Sequence, residues 1–300
     1  MLRTLRFRAM ASDNIVCVET ADAGPGDAAM QAAMADVLRI EAKYSRYRDD
    51  SVTAAINRAA GGQPVPIDAE THALLGYADA CWRLSERRFD ITSGVYRRAW
   101  DFRQRPPRLP QQDEIDALRR LVDWARVEWN ERSVRLPRAD MQVDFGGIGK
   151  EYAADRAATL LIEAGVAGGF VSLGGDVRAI GTQGDGRPWR IGIQHPRRPA
   201  PDPIASIDIV DAALATSGDY ERCFELEGRR YCHLIDARTG WPVEAWQSIS
   251  VKGPLAVIAG SLSTIAMLSG PGAGTFLDGQ GLPWFGIAAD GRAHGTLASV

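Results

Sequence analysis

The sequence predicts an α+β fold, and two observations carry that prediction. In the first half, apolar residues recur at three- and four-residue steps, the period of buried helix faces; the second half is rich in glycine and in short β-type runs. The two kinds of segment are mixed without a strict βαβ alternation, which argues against a doubly wound parallel sheet. The length of 300 residues is enough for one large core without disulfide staples.

Taken in order, residues 1–20 alternate as a strand does. Asp27 to Tyr47 reads as an amphipathic helix with Asp27 as its N-cap and Met30, Ala33, Met34, Val37, Ile40 and Tyr44 on its inner face. The polar run RYRDDS is a loop. Asp68 caps a second helix, whose apolar face is Leu74, Leu75, Ala78, Cys81 and Trp82. Arg103 to Pro110 carries three prolines and is a loop, followed by a helix from about Gln111 to Val122. In the second half, strands are expected at Met141–Phe145, Gly169–Leu173, Trp189–Gln194, Ile204–Ile209, Arg230–Ile235 and Ser248–Lys252. A helix from about Glu151 to Ala164 stops at Gly165, and another spans Pro254 to Leu268. Phe285 to Thr296 reads as a hairpin turning at Asp290-Gly291.

Composition excludes several classes. Lys plus Arg number 35 against 38 Asp plus Glu, a net charge of −3, so no overall basic field exists for gripping nucleic acid. At 45% apolar residues the chain is too hydrophobic for extended disorder. The longest apolar stretch, Leu255 to Leu268, is broken by Gly260, Ser261, Ser263 and Thr264, so no membrane span is expected. Cys17, Cys81, Cys223 and Cys232 form no CxxC pair and read as free thiols. The charged N-terminus is followed by Ser12, Asp13 and Asn14 rather than an apolar run, so neither a signal peptide nor a lipobox is read. The expectation is a cytoplasmic chain, or a periplasmic one if a leader has been removed.

Five stretches are candidates for chemistry. In VDFGGIGKEYAAD (143–155) a strand ends on Asp144, two glycines follow, and Lys150 opens a helix. Exposed amides at a helix start suit phosphates, but the spacing matches neither a Walker A loop nor a dinucleotide fingerprint. The stretch reads equally as a ligand-contacting turn and as an ordinary strand-to-helix connection. SLGGDVRAIG (172–181) reads as a hairpin or bulge. ATSGDYERCF (215–224) and HLIDARTGWPV (233–243) place His233 and Asp236 three residues apart near a strand end, where either can face a pocket or serve the turn. In AGSLSTIAML (259–268), Gly260 and Thr264 share a helix face suited to close packing. FDITSGVYRRAWDF (89–102) sets aromatics and an acid around Thr92-Ser93-Gly94, which reads as core-edge packing; no G-x-S-x-G elbow supports a serine hydrolase.

Together these stretches resemble the ApbE family of FAD:protein FMN transferases. The order is the family's: Met10, YSRYRDDS at 44–51, Asn57, FDITSGV, VDFGGIGKEYAADRA, VSLGGDVRAIG, ATSGDY, HLIDARTG and the late small-residue helix. The resemblance implies one T-fold-like unit over residues 1–300, with two intimately packed halves and an FAD cleft between them. It implies that FAD is cleaved with Mg2+ and that FMN is attached through a phosphoester to a threonine of a partner flavoprotein. Position by position, it implies cofactor contacts at Met10, Tyr47, Phe89, Asp90, Asp144, Lys150 and the backbone at Leu234 and Ile235. The Gly147 carbonyl and the Thr264 hydroxyl match magnesium ligands. Asp236, ahead of His233, is the expected general base.

One departure stands out. The family pattern in the late helix is A-D-A-L-x-T, whose Asp and Thr both hold the metal; here Gly260 stands at the Asp position. Asp144 and Asp236 are the acids expected to make up for it, and Gly260→Asp is expected to raise metal-dependent turnover. The departure also motivates two alternatives: a non-catalytic FAD-binding protein, and a magnesium-dependent pyrophosphatase that yields FMN and AMP.

Overall fold

The computed structural model describes residues 1–198 and 203–297, so positions 199–202 and 298–300 of the expected 1–300 unit lie outside the described residues. The first twenty residues, expected as one strand, form a hairpin of β1 (Leu2–Ala9) and β2 (Ser12–Glu19). Ala9 pairs with Ser12, which leaves Met10 and Ala11 as the loop, at φ 53° and 59°. A two-residue hairpin loop requires that twist, and glycine or asparagine usually supplies it. Their absence hid the turn in the sequence. Side chains hold the turn instead: the Asn14 amide and the Ser12 hydroxyl donate to the Ala9 carbonyl, and the Met10 N–H donates to Glu41 Oε1.

α1 (Ala23–Tyr44) starts before the expected position, with Asp22 and not Asp27 at its N-cap. Pro25 lies in the first turn, where its missing N–H would have no helical partner anyway. Asp27 lies within the helix and pairs with Arg3. Ala33, Val37 and Ile40 are fully buried, as their spacing predicted. The loop after α1 forms as expected, but α2 (Val52–Arg58), capped by Ser51 Oγ, was not anticipated. β3 (Val65–Pro66) precedes α3 (Ala69–Leu84), whose cap is Asp68 as expected, accepting from the Thr71 N–H at 2.9 Å. A proline-rich loop leads to α4 (Gln112–Arg119); β4 (Glu128–Trp129) and β5 (Ser133–Arg135) then join β3 in a small sheet.

α5 (Gly149–Glu163) ends, as expected, before Gly165 at φ 84°. Its Ala153, Ala154, Ala157 and Ala158 are buried, a small-residue face that lets α1 pack closely. The chain continues through β6 (Gly168–Leu173), β7 (Asp176–Ile180), β8 (Trp189–Ile193), β9 (Ala205–Ile209), β10 (Ala213–Gly218), β11 (Cys223–Leu226), β12 (Arg229–Cys232) and β13 (Trp246–Gly253). α6 (Ala256–Leu268), α7 (Ala273–Gln280), β14 (Trp284–Ala288) and β15 (Ala293–His294) complete it. β6 and β7 turn at Gly174-Gly175, and the last hairpin turns beside Gly291 as expected.

Among the described residues, eight strands form one antiparallel sheet in the order β1-β2-β6-β7-β10-β13-β14-β15. The main apolar core joins this sheet to α1, α3, α5 and α6. A second core packs Val177, Leu214, Phe285 and Ile287 of the sheet against Trp189, Ile193 and Ile207 of the β8–β9 hairpin. A third gathers Tyr96, Trp100, Ile115, Phe224 and Tyr231. The architecture is therefore α+β.

Two carboxylates tie the helices together. Glu70, at the start of α3, accepts from Arg39 at 2.8 and 2.9 Å, from Lys43 at 2.6 Å and from the Tyr152 hydroxyl at 2.8 Å, joining α1, α3 and α5. Asp155 of α5 accepts from the Ala256 and Val257 N–H groups at 2.8 and 2.9 Å, capping the start of α6. No helix among the described residues is long and apolar enough to cross a membrane. The four cysteines are free.

Candidate functional site

The expected strand at Met141–Phe145 does not form, because its partner is a side chain and not another strand. The Val143 N–H donates to Asn57 Oδ1 at 2.7 Å, and Asn57 Nδ2 donates to the Val143 carbonyl at 3.0 Å. Asn57 thus satisfies both backbone groups that a β-ladder would have used. Next in the chain, Asp144 donates its N–H to the Ile91 carbonyl at 2.8 Å and caps the short 3-10 turn Phe145–Gly147.

The Asp144 carboxylate organises one side of the site. Oδ1 accepts from the Gly146 N–H at 2.9 Å; Oδ2 takes Arg46 at 3.0 Å and lies 3.5 Å from Arg97. Arg97 also donates to the Tyr47 hydroxyl, and the Arg46 guanidinium lies 6.0 Å from the centre of the Tyr47 ring. Tyr47 is 75% exposed, an unusual position for a large aromatic whose hydroxyl and ring face are both engaged. Gly147 sits against the Phe89 ring: a β-carbon there would come within 3.0 Å of it. Asp90 faces inward. Its oxygens accept from Thr92 N–H and Oγ1 and from the Trp124 N–H, and burial raises its pKa.

The second side of the site lies at the start of α5. Lys150 Nζ is 2.5 Å from Asp176 and 3.7 Å from Glu151. Burial opposes the lysine charge, but the two acids outweigh it and hold its pKa above the ordinary range. Asp176 also accepts from the Thr216 N–H at 2.9 Å. Glu151 is buried and packs against Gly260, and its Oε2 has no hydrogen-bond partner. Burial raises its pKa, Lys150 pulls it down, and Asp176 pushes it up again. On α6, Ser217 of β10 bridges the Ser263 and Thr264 hydroxyls at 2.8 and 2.9 Å, and Ser263 donates to the Gly260 carbonyl. Among the described residues no group of three or more His, Cys, Asp or Glu side chains gathers as a metal site. A cation at this place would depend on carboxylate, hydroxyl and carbonyl oxygens together.

The third part is the 233–240 turn. Asp236 Oδ1 accepts from the Arg238 N–H at 2.9 Å, its Oδ2 lies 3.3 Å from the Arg238 guanidinium, and its backbone carbonyl accepts from Gly240. His233 Nδ1 is buried without a partner. Burial lowers its pKa to about 4, helped by Arg222 and Arg97 and more weakly by Lys150, so the ring is neutral at pH 7. Ile235 pairs through its backbone with Pro242.

The structure thus links Tyr47 and Asp144 through arginines, stacks Phe89 under Gly147, and joins Lys150 to Asp176. Met10 sits on its pinned turn above Glu41. The acids expected to replace the carboxylate missing at Gly260 are both engaged elsewhere, Asp144 with Arg46 and Asp236 with Arg238. Arg46, Arg97, Glu151, Asp176 and Ser217 received no role from the sequence. All five lie inside or beside the quoted motifs, but only packing reveals what each one touches.

The ApbE family model matches residues 10–280. The FAD:protein FMN transferase of Escherichia coli K12 is 30% identical over 263 residues, covering 85% of this chain and 75% of that protein. The ApbE protein of Thermotoga maritima superposes with a TM-score of 0.90 at 30% identity, over 98% of this chain and 97% of that one. The flavinyl transferase ApbE of Pseudomonas stutzeri, in its apo form, superposes with a TM-score of 0.87 at 25% identity, over 98% and 94%. Fold, motifs and relatives together define a transferase. The chain belongs to the ApbE family.

Proposed function

We propose that this chain is an FAD:protein FMN transferase, that residues 1–300 act as one unit, and that FAD lies in a cleft between its halves. The reaction moves the FMN half of FAD to a threonine hydroxyl of an acceptor flavoprotein. The threonine oxygen bonds the flavin-side phosphorus, the bridging P–O bond breaks, and AMP leaves with the bridging oxygen. Tyr47 and Met10 flank the isoalloxazine. Asp144 holds Arg46 and Arg97 in place beside them, and the backbone at Leu234 and Ile235 adds a further contact. Phe89 supports Gly147 from below, and Asp90 fixes the chain around Phe89. Lys150 lends positive charge to the pyrophosphate.

The proton of the attacking hydroxyl goes to His233. This departs from the expected preference for Asp236, whose carboxylate is occupied by Arg238 and by its own turn. His233 offers a ring nitrogen, Nδ1, that no described residue occupies. That is the observation which carries the reading.

Magnesium suits the donors present. The Gly147 carbonyl and Thr264 hydroxyl are hard oxygens, and the partnerless Glu151 Oε2 lies at the start of the helix that follows Gly147. Gly147 and Thr264 would hold the ion, which when bound neutralises pyrophosphate oxygens. The test is incubation with FAD, Mg2+ and an acceptor flavoprotein carrying the target threonine, read by covalent flavin on the acceptor and by AMP release. Covalent flavin with AMP supports the proposal. FMN and AMP without acceptor labelling would make the protein a pyrophosphatase, and bound FAD with no AMP would make it a flavin binder.

A further inference from the structure

α6 carries no acid where the family pattern places one. A β-carbon at Gly260 would lie 2.5 Å from Glu151 Cγ, 3.1 Å from its Cδ and 3.3 Å from Oε1. The Glu151 side chain therefore occupies the volume into which a side chain at 260 would project. The register that brings the two together is built in. Glu151 and Asp155 lie four apart on one face of α5, as Ala256 and Gly260 do on α6, and Asp155 binds the first amides of α6. With the helices antiparallel at this contact, Asp155 meets residue 256 and Glu151 meets residue 260.

The carboxylate is incompletely satisfied. Glu151 is 8% exposed, Oε2 has no partner, and the nearest cation, Lys150, is 3.7 Å from Oε1 while lying 2.5 Å from Asp176. Among the described residues, Lys150 is the one cation within 4 Å of both Glu151 and Asp176, so a single lysine serves two acids. A buried, partly unpaired carboxylate is costly unless a further positive charge balances it. Across the contact α6 presents Gly260 to it, and further along the same helix Ser263 and Thr264 share hydrogen bonds with Ser217.

We infer that Glu151 supplies the anionic oxygen to the magnesium site, from α5, in place of a carboxylate at position 260. The carboxylate has changed helices while keeping its place in space. This rests on the magnesium-dependent reading above, with Thr264 and the Gly147 carbonyl as its companions.

Mn2+ is the probe, and its binding to the full chain is followed by electron paramagnetic resonance with and without FAD, alongside thermal unfolding. Wild type is expected to bind Mn2+, Glu151→Gln to bind at least about ten-fold more weakly, and the double variant Glu151→Ala/Gly260→Asp to recover most of the affinity. A folded Glu151→Gln protein that binds Mn2+ like wild type would overturn the inference. If Glu151→Gln does not fold, the double variant decides: recovered binding supports the inference, and a folded double variant without binding overturns it. A wild-type protein that binds no divalent cation even with FAD would remove the magnesium reading itself, a result distinct from a Glu151 variant that leaves binding intact.

Discussion

Glu151 and Gly260 share one space: the Cγ of the first lies 2.5 Å from the point where the second would carry a β-carbon. Gly260→Asp alone therefore cannot act as the simple repair the sequence implied. Overpacking at a buried contact costs about 1–3 kcal/mol. The single variant is expected to melt several degrees below wild type and to gain no metal-dependent turnover. Thermal unfolding and AMP release measure both; an unchanged melting point with faster turnover would contradict the clash.

Tyr47 exposes its ring beside Arg46 and Arg97. Tyr47→Ala should weaken FAD binding about five-fold, the equivalent of roughly 1 kcal/mol for one aromatic contact. Because the residue is 75% exposed, the melting temperature should stay within about a degree of wild type. A flavin-fluorescence titration gives the affinity, and an unchanged value would remove Tyr47 from the flavin site.

His233 makes stability depend on pH with a definite sign. Burial lowers its pKa from 6.5 to about 4, so between those values the unfolded chain holds the extra proton and the folded chain does not. Stability through this group is therefore lost as pH falls from about 6.5 towards 4. His233→Asn should flatten that part of the profile, so that its melting point gains on wild type as the solution is acidified. A constant difference between pH 7 and pH 4 would show that the ring is not buried neutral.

Glu70 behaves in the same sense, over a more acidic range. Hydrogen bonds from Arg39, against the cost of burial, and then from Lys43 and Tyr152, lower its pKa from 4.5 to about 2. Its contribution is full above about pH 4.5 and disappears as pH falls towards 2. Glu70→Gln should lower the melting temperature at pH 7 through loosened α1–α3–α5 packing, and the gap to wild type should close on acidification. Melting curves at pH 7 and pH 3 with an equal gap would argue that the amide keeps the same contacts.

Periodicity and capping chemistry made much of the fold legible. The Asp68 cap, the stop at Gly165 and the hairpin beside Gly291 each rest on local rules that hold without tertiary context. The failures came where a distant side chain replaced the usual local partner. Met10-Ala11 turns without glycine because Asn14, Ser12 and Glu41 hold it. Met141–Phe145 forms no strand because the Asn57 amide takes both backbone bonds of Val143 and Phe145 already opens a 3-10 turn. The site followed the same pattern. The motifs located its parts, but whether Asp236 or His233 is free depends on Arg238, and the partner of Gly260 lies on another helix. Spacing along the chain carries no record of such contacts.

The contact between α5 and α6 also constrains how this chain can change over generations. Restoring an acid at 260 while Glu151 remains meets a steric conflict, and removing Glu151 first leaves the pocket without its carboxylate. Neither single step is neutral, so the two positions form a ratchet in sequence drift. A lineage that holds this arrangement is expected to keep it until both codons change together, however freely the rest of the small-residue face varies.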